Sequence, residues 1–208
     1  MENIIINPLN YKSEYIRYLN ECFAGWGQED KYNWVFTRKV GVNSADIIII
    51  KNEDDEVIAG SGVTYRKLET PDKDIIDIGI MTASWTLPKA RRKGCFGKII
   101  SLSQELAKKK DVLYLTAFVT ESNASFRRLK DAGAMLVPTY HLFSPVEPFT
   151  VSFEFMEVEN TPDIIAEMYS RFINSSTGFT KFRYTINEFS QQYIYRTNII
   201  LLKSVNEF

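Results

Sequence analysis

The pattern of apolar and polar residues predicts a mixed α/β order over residues 1–145. Apolar residues at three- and four-residue spacing from Tyr11 to Phe23 predict an amphipathic helix. The stretch 74–86 carries apolar residues on both of its faces, as in a central strand covered on two sides. The predicted elements before it are, in order, a strand at 3–7, the helix, a helical stretch at 31–39, and a strand pair at 45–52 and 56–68.

After residue 86 the pattern changes to strand, helix, strand. A basic, glycine-containing loop leads into a helix with a buried stripe of Ile99, Leu102 and Leu106. The stretch 112–120 then reads as a buried strand. A short helix begins near Ser122 and Asn123, both good N-caps, and ends at Gly133, and a further strand is predicted at 134–143. This order predicts an α/β fold built on a mixed sheet.

The last 61 residues predict a strand, two helices and another strand, which is also how the chain begins. Thr161-Pro162-Asp163 is a strong helix start, and Ile199–Leu202 is the final predicted strand. We therefore predict a first domain over residues 1–147 and a C-terminal extension over 148–208. The extension is either a partial second copy of the fold or an appendage that completes the first sheet.

Composition narrows the classes of protein to consider. The 208 residues include 25 basic and 26 acidic side chains, so no overall field favours nucleic acid or an anionic membrane. Two cysteines, Cys22 and Cys95, are too few for a metal site or a disulfide framework. The apolar runs are far shorter than a membrane span requires. We expect a cytoplasmic protein without a metal site.

Positive charge is nevertheless concentrated between Leu87 and Ile100, in the sequence LPKARRKGCFGKII. Backbone N–H groups and the helix dipole converge where a strand leads into a helix, and glycines let an anion approach the amides. The spacing is not that of a P-loop, because Ile99 follows Gly97-Lys98. The loop is either a phosphate-binding site or an ordinary turn with solvated lysines.

The stretch SWTLPKARRKGCFGKII resembles motif A of the GNAT superfamily of N-acetyltransferases, with Pro88, Arg91 and Gly94 in register. The following ESNASFRRLKDAGA resembles the next helix of that family through Ser125 and Gly133. The resemblance covers about two thirds of the chain. It implies a GNAT-like fold with splayed central strands, here followed by a strand–helix–helix–strand extension.

The resemblance further implies that acetyl-CoA lies between the splayed strands. Its diphosphate would contact the loop, and its pantetheine arm would pair with backbone like an added strand. The cofactor-binding residues that it implies are Trp85, Thr86, Leu87, Arg91, Arg92, Lys93, Gly94, Cys95, Phe96, Gly97, Lys98, Asn123 and Phe126.

In the family, an amine attacks the thioester directly, and backbone N–H groups at a strand bulge, here near Ser84 and Trp85, stabilise the oxyanion. A tyrosine on the later helix often protonates the sulfur, but this chain has Leu129 there. Tyr140 and Tyr114 are candidate acids; the alternative interpretation of each is a core aromatic residue with a polar tip. Asp77 is a candidate base; its alternative interpretation is a carboxylate at the solvated end of a strand.

The resemblance places Trp26 and Glu29 beside the acceptor, a small-molecule or peptide amine. A CoA-binding regulatory or scaffold domain without turnover is the main alternative, since the usual tyrosine is missing. A Cys95–His141 pair would indicate a different enzyme class. The open sheet edge of a half-fold would favour a homodimer.

Overall fold

A computed structural model describes residues 3–41, 43–137, 155–158, 161–174, 178, 180–194 and 201–204. The strands are β1 Asn3–Ile6, β2 Asp46–Lys51, β3 Val57–Glu69, β4 Ile75–Thr86, β5 Tyr114–Thr116, β6 Phe155–Val158, β7 Lys181–Arg183 and β8 Leu201–Ser204. The helices are α1 Lys12–Cys22, α2 Glu29–Tyr32, α3 Cys95–Lys109, α4 Ala124–Asp131, α5 Pro162–Asn174 and α6 Ile186–Ile194, with a π-helical turn at Asn33–Thr37 and a 3₁₀ turn at Pro88–Ala90.

The main sheet has the strand order β1-β2-β3-β4-β5 and is antiparallel except between β4 and β5. Parallel pairing joins only Ile78–Ile80 to Tyr114–Thr116, although β4 continues to Thr86. The parallel strands β4 and β5 therefore separate beyond this point. The predicted mixed α/β sheet with splayed central strands is confirmed, and the strand predicted at 112–120 is shorter because it pairs over three residues only.

Two clusters of buried side chains cover the two faces of this sheet. On one face, which we call the α3 face, aliphatic residues such as Ile48, Val63 and Met81 pack against α3. On the other, the α1 face, Tyr15 and Trp85 belong to a cluster that combines aromatic and aliphatic side chains. The alternation of side chains along β2 and β3 sends neighbouring residues to opposite clusters, as a doubly covered sheet requires.

The C-terminal extension contributes to the main sheet. β7 pairs with β3 at Lys67–Glu69, on the edge that β2 leaves open after Val63. The sequence pattern did not predict this strand, because three residues between two helices are too short to show an alternation. α6 also contacts the π-helical turn, where the Trp34 Nε1–H donates to the Gln192 carbonyl at 2.8 Å.

In the part of the chain that the structure describes, β6 and β8 pair with each other and not with the main sheet. Their antiparallel pairing resembles that of β1 and β2: Met156 lies opposite Lys203 as Ile4 lies opposite Ile50. The offsets are 156 − 4 = 152 and 203 − 50 = 153 residues. The partial repeat stays a prediction that this similarity favours, whereas the pairing of β7 with β3 is what an appendage would do.

Candidate functional site

The end of β4 carries a bulge. Trp85 lies opposite Gly60, and Thr82 lies opposite Gly62, so two residues of β4 face one residue of β3. Ala83 has a φ of 49°, a left-handed conformation that is uncommon for a residue with a side chain. The bulge lies beyond the last pairing with β5, where the strands have already separated. It turns backbone N–H groups of β4 out of the regular ladder, as the resemblance implied for the region of Ser84 and Trp85.

Among the described residues, no strand pairs with the last residues of β4 on the side away from β3. The Leu87 N–H donates to the Ile58 carbonyl of β3 at 2.9 Å. Because successive residues of a strand point their backbone groups to opposite sides, the groups of Thr86 face the splayed side and those of Trp85 face β3. Within Trp85–Leu87, therefore, Thr86 has the backbone groups that an extended ligand arm could reach.

The loop that follows β4 is shaped by two left-handed residues. Arg92 has a φ of 66°, and Gly94, the N-cap of α3, has a φ of 82°. The side chains of Arg91, Arg92 and Lys93 are exposed at this turn. The first N–H groups of a helix have no intrahelical acceptor, and glycine supplies no side-chain cap. Positive side chains and N–H groups thus meet at the start of α3.

Space for an anion is present at the same place. A Cβ atom added to Gly94 or Gly97 would meet no other described residue within 4 Å. Lys98 is exposed in the first turn, and Phe96 packs partly against the α3-face cluster. Cys95 is 2% exposed within that cluster, so its backbone can contribute to the loop but its thiol cannot act as an exposed nucleophile.

The side chain of Trp85 fills the α1 face behind the bulge. Its ring stacks on that of Tyr18, with 5.2 Å between the ring centroids, and meets the Tyr15 ring edge-on, with 5.8 Å between the centroids. A Cβ atom at Gly60 would lie 2.6 Å from this indole, so only glycine permits the contact. Burial raises the pKa of the Tyr15 hydroxyl, which stays protonated. The rings fix the position of Trp85 and hence the backbone next to the bulge.

Several proteins of known structure are similar to this chain in overall fold. No protein-family model and no curated protein matches the chain. An aminoglycoside antibiotic 6'-N-acetyltransferase from Acinetobacter baumannii matches with 13% identity and a TM-score of 0.55, over 71% of this chain and 100% of that one. AAC(6')-Iy, solved with the bisubstrate analogue CoA-S-monomethyl-acetylneamine, matches with 11% identity and a TM-score of 0.55, over 71% and 99%. A transcriptional regulator from Bacillus halodurans matches with 13% identity and a TM-score of 0.52, over 70% and 99%.

The chain has the GNAT fold. The resemblance read from Pro88, Arg91 and Gly94 is thereby confirmed at the level of the fold. In this fold, β4 and β5 are the splayed pair.

Two further residues predicted at the cofactor site lie at the start of α4. The Asn123 side chain caps this helix, accepting from the Ser125 N–H at 3.0 Å and the Ser125 hydroxyl at 2.8 Å. The predicted N-cap is therefore confirmed. Phe126 is half-buried, one turn inside the helix. Leu129 packs against the α3-face cluster, so α4 faces the same side of the sheet as α3.

The predicted base, Asp77, is not brought to the bulge. Asp77 lies near the beginning of β4, six residues or about 20 Å before Ala83 at about 3.3 Å per residue. Its carboxylate is 54% exposed and lies 3.8 Å from the Lys67 ammonium. This geometry favours the alternative interpretation, a carboxylate at the solvated end of the strand. Tyr140 and His141 lie outside the described residues, so Tyr140 stays a prediction.

Of the two residues predicted at the acceptor side, Trp26 lies just before α2 and Glu29 is the first residue of α2. Trp26 stacks on Phe36 with 6.4 Å between the ring centroids, and the Lys31 ammonium lies 5.0 Å from the centroid of the Trp26 ring. Glu29 begins α2 and is exposed. Hydrogen bonding to the Lys12 ammonium lowers the pKa of Glu29, which keeps this carboxylate ionised.

Sequence reasoning missed a pair of hydroxyl groups at the bulge. The Ser61 and Ser84 Oγ atoms are 2.7 Å apart, and Ser61 is fully buried. The signal was present in the sequence Ala-Gly-Ser-Gly of β3, because glycines inside a strand indicate a bulge or a close approach of other groups. Which groups approach depends on contacts that are distant in sequence.

Proposed function

We propose that the chain is an N-acetyltransferase that moves an acetyl group from acetyl-CoA to a primary amine by direct attack in a ternary complex. The observation that carries this proposal is the order of three features along one stretch of chain. The bulge, the free backbone edge of Thr86 and the open start of α3 follow each other from residue 83 to residue 97. Together they fit a thioester, an extended arm and a diphosphate.

For the donor, the residues from Arg92 to Lys98 offer main-chain N–H groups, and the exposed basic side chains add charge-assisted contacts. The room beside Gly94 and Gly97 fits a phosphate. Thr86 would pair with the pantetheine arm, while Asn123 and Phe126 would flank its far end. AAC(6')-Iy, which shares the fold, was solved with a CoA-containing analogue, and this supports CoA as the carrier.

For the reaction, N–H groups at the bulge would stabilise the negative charge that develops on the thioester oxygen. The strained φ of Ala83 is held by the pairing on either side of it, which is how a fold keeps such donors oriented without a ligand. The amine would enter near Trp26 and Glu29, whose ionised carboxylate attracts an ammonium group. We propose no side-chain base, because Asp77 lies too far from the bulge.

The remaining expectations are proposals of the same kind. Within the described residues, no helix is long and apolar enough to cross a membrane. Cys22 and Cys95 are not joined in a disulfide, which supports a reducing, cytoplasmic location. We also propose a small-molecule or peptide amine as acceptor, no nucleic-acid partner, and a homodimer that light scattering would detect.

The test combines CoA binding with acetyl transfer. Gly97→Trp places a large side chain in the open space at the start of α3 on a helical backbone, and we expect at least a hundredfold weaker CoA binding by calorimetry. Gln104→Trp, two turns further along the exposed side of α3, is the matched control and should bind normally. Release of free thiol from acetyl-CoA over a panel of primary amines measures turnover.

Three results would change the proposal. Equal CoA affinity in Gly97→Trp and the wild type would contradict the placement of the diphosphate. Binding without turnover on any amine would favour the regulatory alternative, which the match to a transcriptional regulator keeps open. Salt-sensitive DNA affinity that disappears when Arg91, Arg92 and Lys93 are replaced would point to nucleic acid instead.

A further inference from the structure

We propose that the Ser84 hydroxyl, supported by Ser61, donates a hydrogen bond to the departing sulfur of CoA and so stabilises the thiolate in a chain that has Leu129 in place of the usual tyrosine. This inference rests on the proposed function. It concerns one additional catalytic residue at the bulge.

The hydroxyl lies on the correct side of the sheet. A Cβ atom added to Gly60 would point at Trp85 and one added to Gly62 would point at Phe36, both on the α1 face. Because side chains alternate along a strand, the side chain of Ser61 between them points to the α3 face. Ser84 lies 2.7 Å from Ser61 and therefore on the α3 face too. Leu129 packs against the cluster on that same face. Ser84 and the helix position that normally supplies the acid thus share one side of β4.

The hydroxyl is also placed at the bulge and can be reached. Ser84 is half-buried, while Ser61 is fully buried and has a second acceptor in the Gly62 carbonyl at 3.3 Å. Either serine can be the donor of the bond between them. When Ser61 donates to Ser84, the Ser84 O–H is available to a sulfur atom. When no sulfur is present, Ser61 can donate to Gly62 and accept from Ser84, so no group is left unpaired.

The neutral amine nitrogen forms a bond to the thioester carbonyl carbon, and the carbon–sulfur bond breaks with its electron pair moving to sulfur. Ser84 donates a hydrogen bond to the resulting thiolate and keeps its proton, because a hydroxyl is a far weaker acid than a thiol. The proton that the amine loses goes to solvent, and the thiolate is protonated from solvent after CoA leaves. Free thiols have a pKa of about 8.5, so a modest stabilisation of the thiolate is enough near neutral pH.

The test uses bound CoA and needs no acceptor. Thiolate absorbance of the protein–CoA complex is titrated against pH in the wild type and in Ser84→Ala. We expect the bound thiol pKa to rise by about one unit in Ser84→Ala, because a donor to the charged form is lost. Ser61→Ala should give a smaller rise. Leu129→Tyr in the Ser84→Ala background should lower the value again.

Thr64→Val is the matched control. Thr64 and Thr82 form a similar hydroxyl pair, 3.0 Å apart, at the same pair of strands. Thr64 is separated by three residues from Ser61 and so lies on the α1 face. This variant should leave the thiol pKa unchanged.

Each result decides the matter. An equal thiol pKa in wild type and Ser84→Ala, or an equal rise in Thr64→Val, overturns the role of Ser84 and leaves the proposed function standing. If the wild type does not bind CoA at all, the proposed function fails and this inference fails with it. With an acceptor in hand, Ser84→Ala should lower kcat about tenfold with an unchanged KM for acetyl-CoA, and a donor with a more acidic thiol should reduce that loss.

Discussion

On the α1 face of the paired strands β3 and β4, aromatic rings lie directly on glycines, whereas on the α3 face branched aliphatic side chains pack against a helix. The ring of Phe36 covers Gly62, and the indole of Trp85 covers Gly60. A side chain at either glycine would overlap a ring. The α1 face is therefore filled at the level of the bulge.

The α3 face differs at both ends of its helix. At the start of α3, the glycines Gly94 and Gly97 border open space. Just beyond its C-terminal end, the Lys110 ammonium lies 2.7 Å from the carboxylate of Asp46, which is 3% exposed and also accepts from the Tyr65 hydroxyl at 2.6 Å. The buried charge holds one end of α3 while the other end stays accessible to a ligand.

The comparison shows that glycine serves two opposite purposes in this chain. In β3, glycine makes room for an aromatic ring of the protein itself. At the start of α3, glycine borders open space. Substitutions on the two faces should therefore change the free energy of unfolding, and its pH dependence, in different ways.

The largest effect is expected at Asp46, on the α3 face. Asp46→Asn leaves Lys110 and Tyr65 beside a neutral group, and we expect the free energy of unfolding at pH 7 to fall by about 3 kcal/mol. The exposed carboxylate of Asp55, 2.8 Å from Lys51, is the control. Asp55→Asn should change stability by less than about 1 kcal/mol. Urea unfolding followed by tryptophan fluorescence measures both.

The pH dependence of this effect has a definite sign. Burial raises the pKa of Asp46, but hydrogen bonds from Asn7, Lys110 and Tyr65 outweigh it, and the folded pKa lies below its ordinary value. A carboxyl with a lowered folded pKa stabilises the protein above its unfolded pKa of about 3.9 and loses that contribution as the pH falls through the folded value. The difference between wild type and Asp46→Asn should therefore shrink between pH 5 and pH 3. A constant difference over this range would show that lost packing, not lost charge, destabilises the variant.

How far the sequence could predict this site depends on how local each feature is. The loop before α3 was predictable because Pro88, Arg91 and Gly94 lie within a few residues of each other, and the cap at Asn123 depends on Ser125 alone. The bulge of β4 was expected from the resemblance. The partners of Ser84 and Asp46 were not predictable, because each contact joins residues that are far apart in sequence and carry no joint pattern.

A second prediction concerns the filled face. Gly62→Ala should lower the free energy of unfolding by about 1–3 kcal/mol, because the added methyl group overlaps the Phe36 ring. In a Phe36→Ala background the same substitution should have little effect, since the ring is gone. The difference between the two backgrounds, measured as a double-mutant cycle, is the energy of this contact.

Gly97→Ala is the control from the open side. Alanine favours a helix by about 0.5–1 kcal/mol over glycine, and no described neighbour obstructs the methyl group, so stability should stay equal or rise slightly. If Gly62→Ala destabilises the protein equally with and without Phe36, the ring does not explain the glycine, and the contrast between the two faces fails.

The smallest effect is expected where the C-terminal extension meets the α1 face. The Glu188 carboxylate accepts the Gly41 N–H at 2.6 Å and the Thr185 N–H at 2.7 Å, so it both caps α6 and joins the extension to the segment after the π-helical turn. Glu188→Gln retains the shape but removes the charge, and we expect a loss of about 1 kcal/mol. That loss corresponds to about fivefold faster hydrogen exchange at Gly41 if this amide is exposed by local opening of the contact.

Asn187→Ala, at the neighbouring exposed position of α6, is the control and should leave Gly41 exchange unchanged. Because α6 contacts the π-helical turn that carries Phe36, opening of this contact should also weaken the packing of that ring on Gly62. Glu188→Gln and Gly62→Ala should then give less than additive losses when combined, since each loosens the same ring. Strictly additive losses would show that the extension does not affect the packing of Phe36 on Gly62. In that case α1, α2 and the π-helical turn alone would hold the aromatic rings on the α1 face in place.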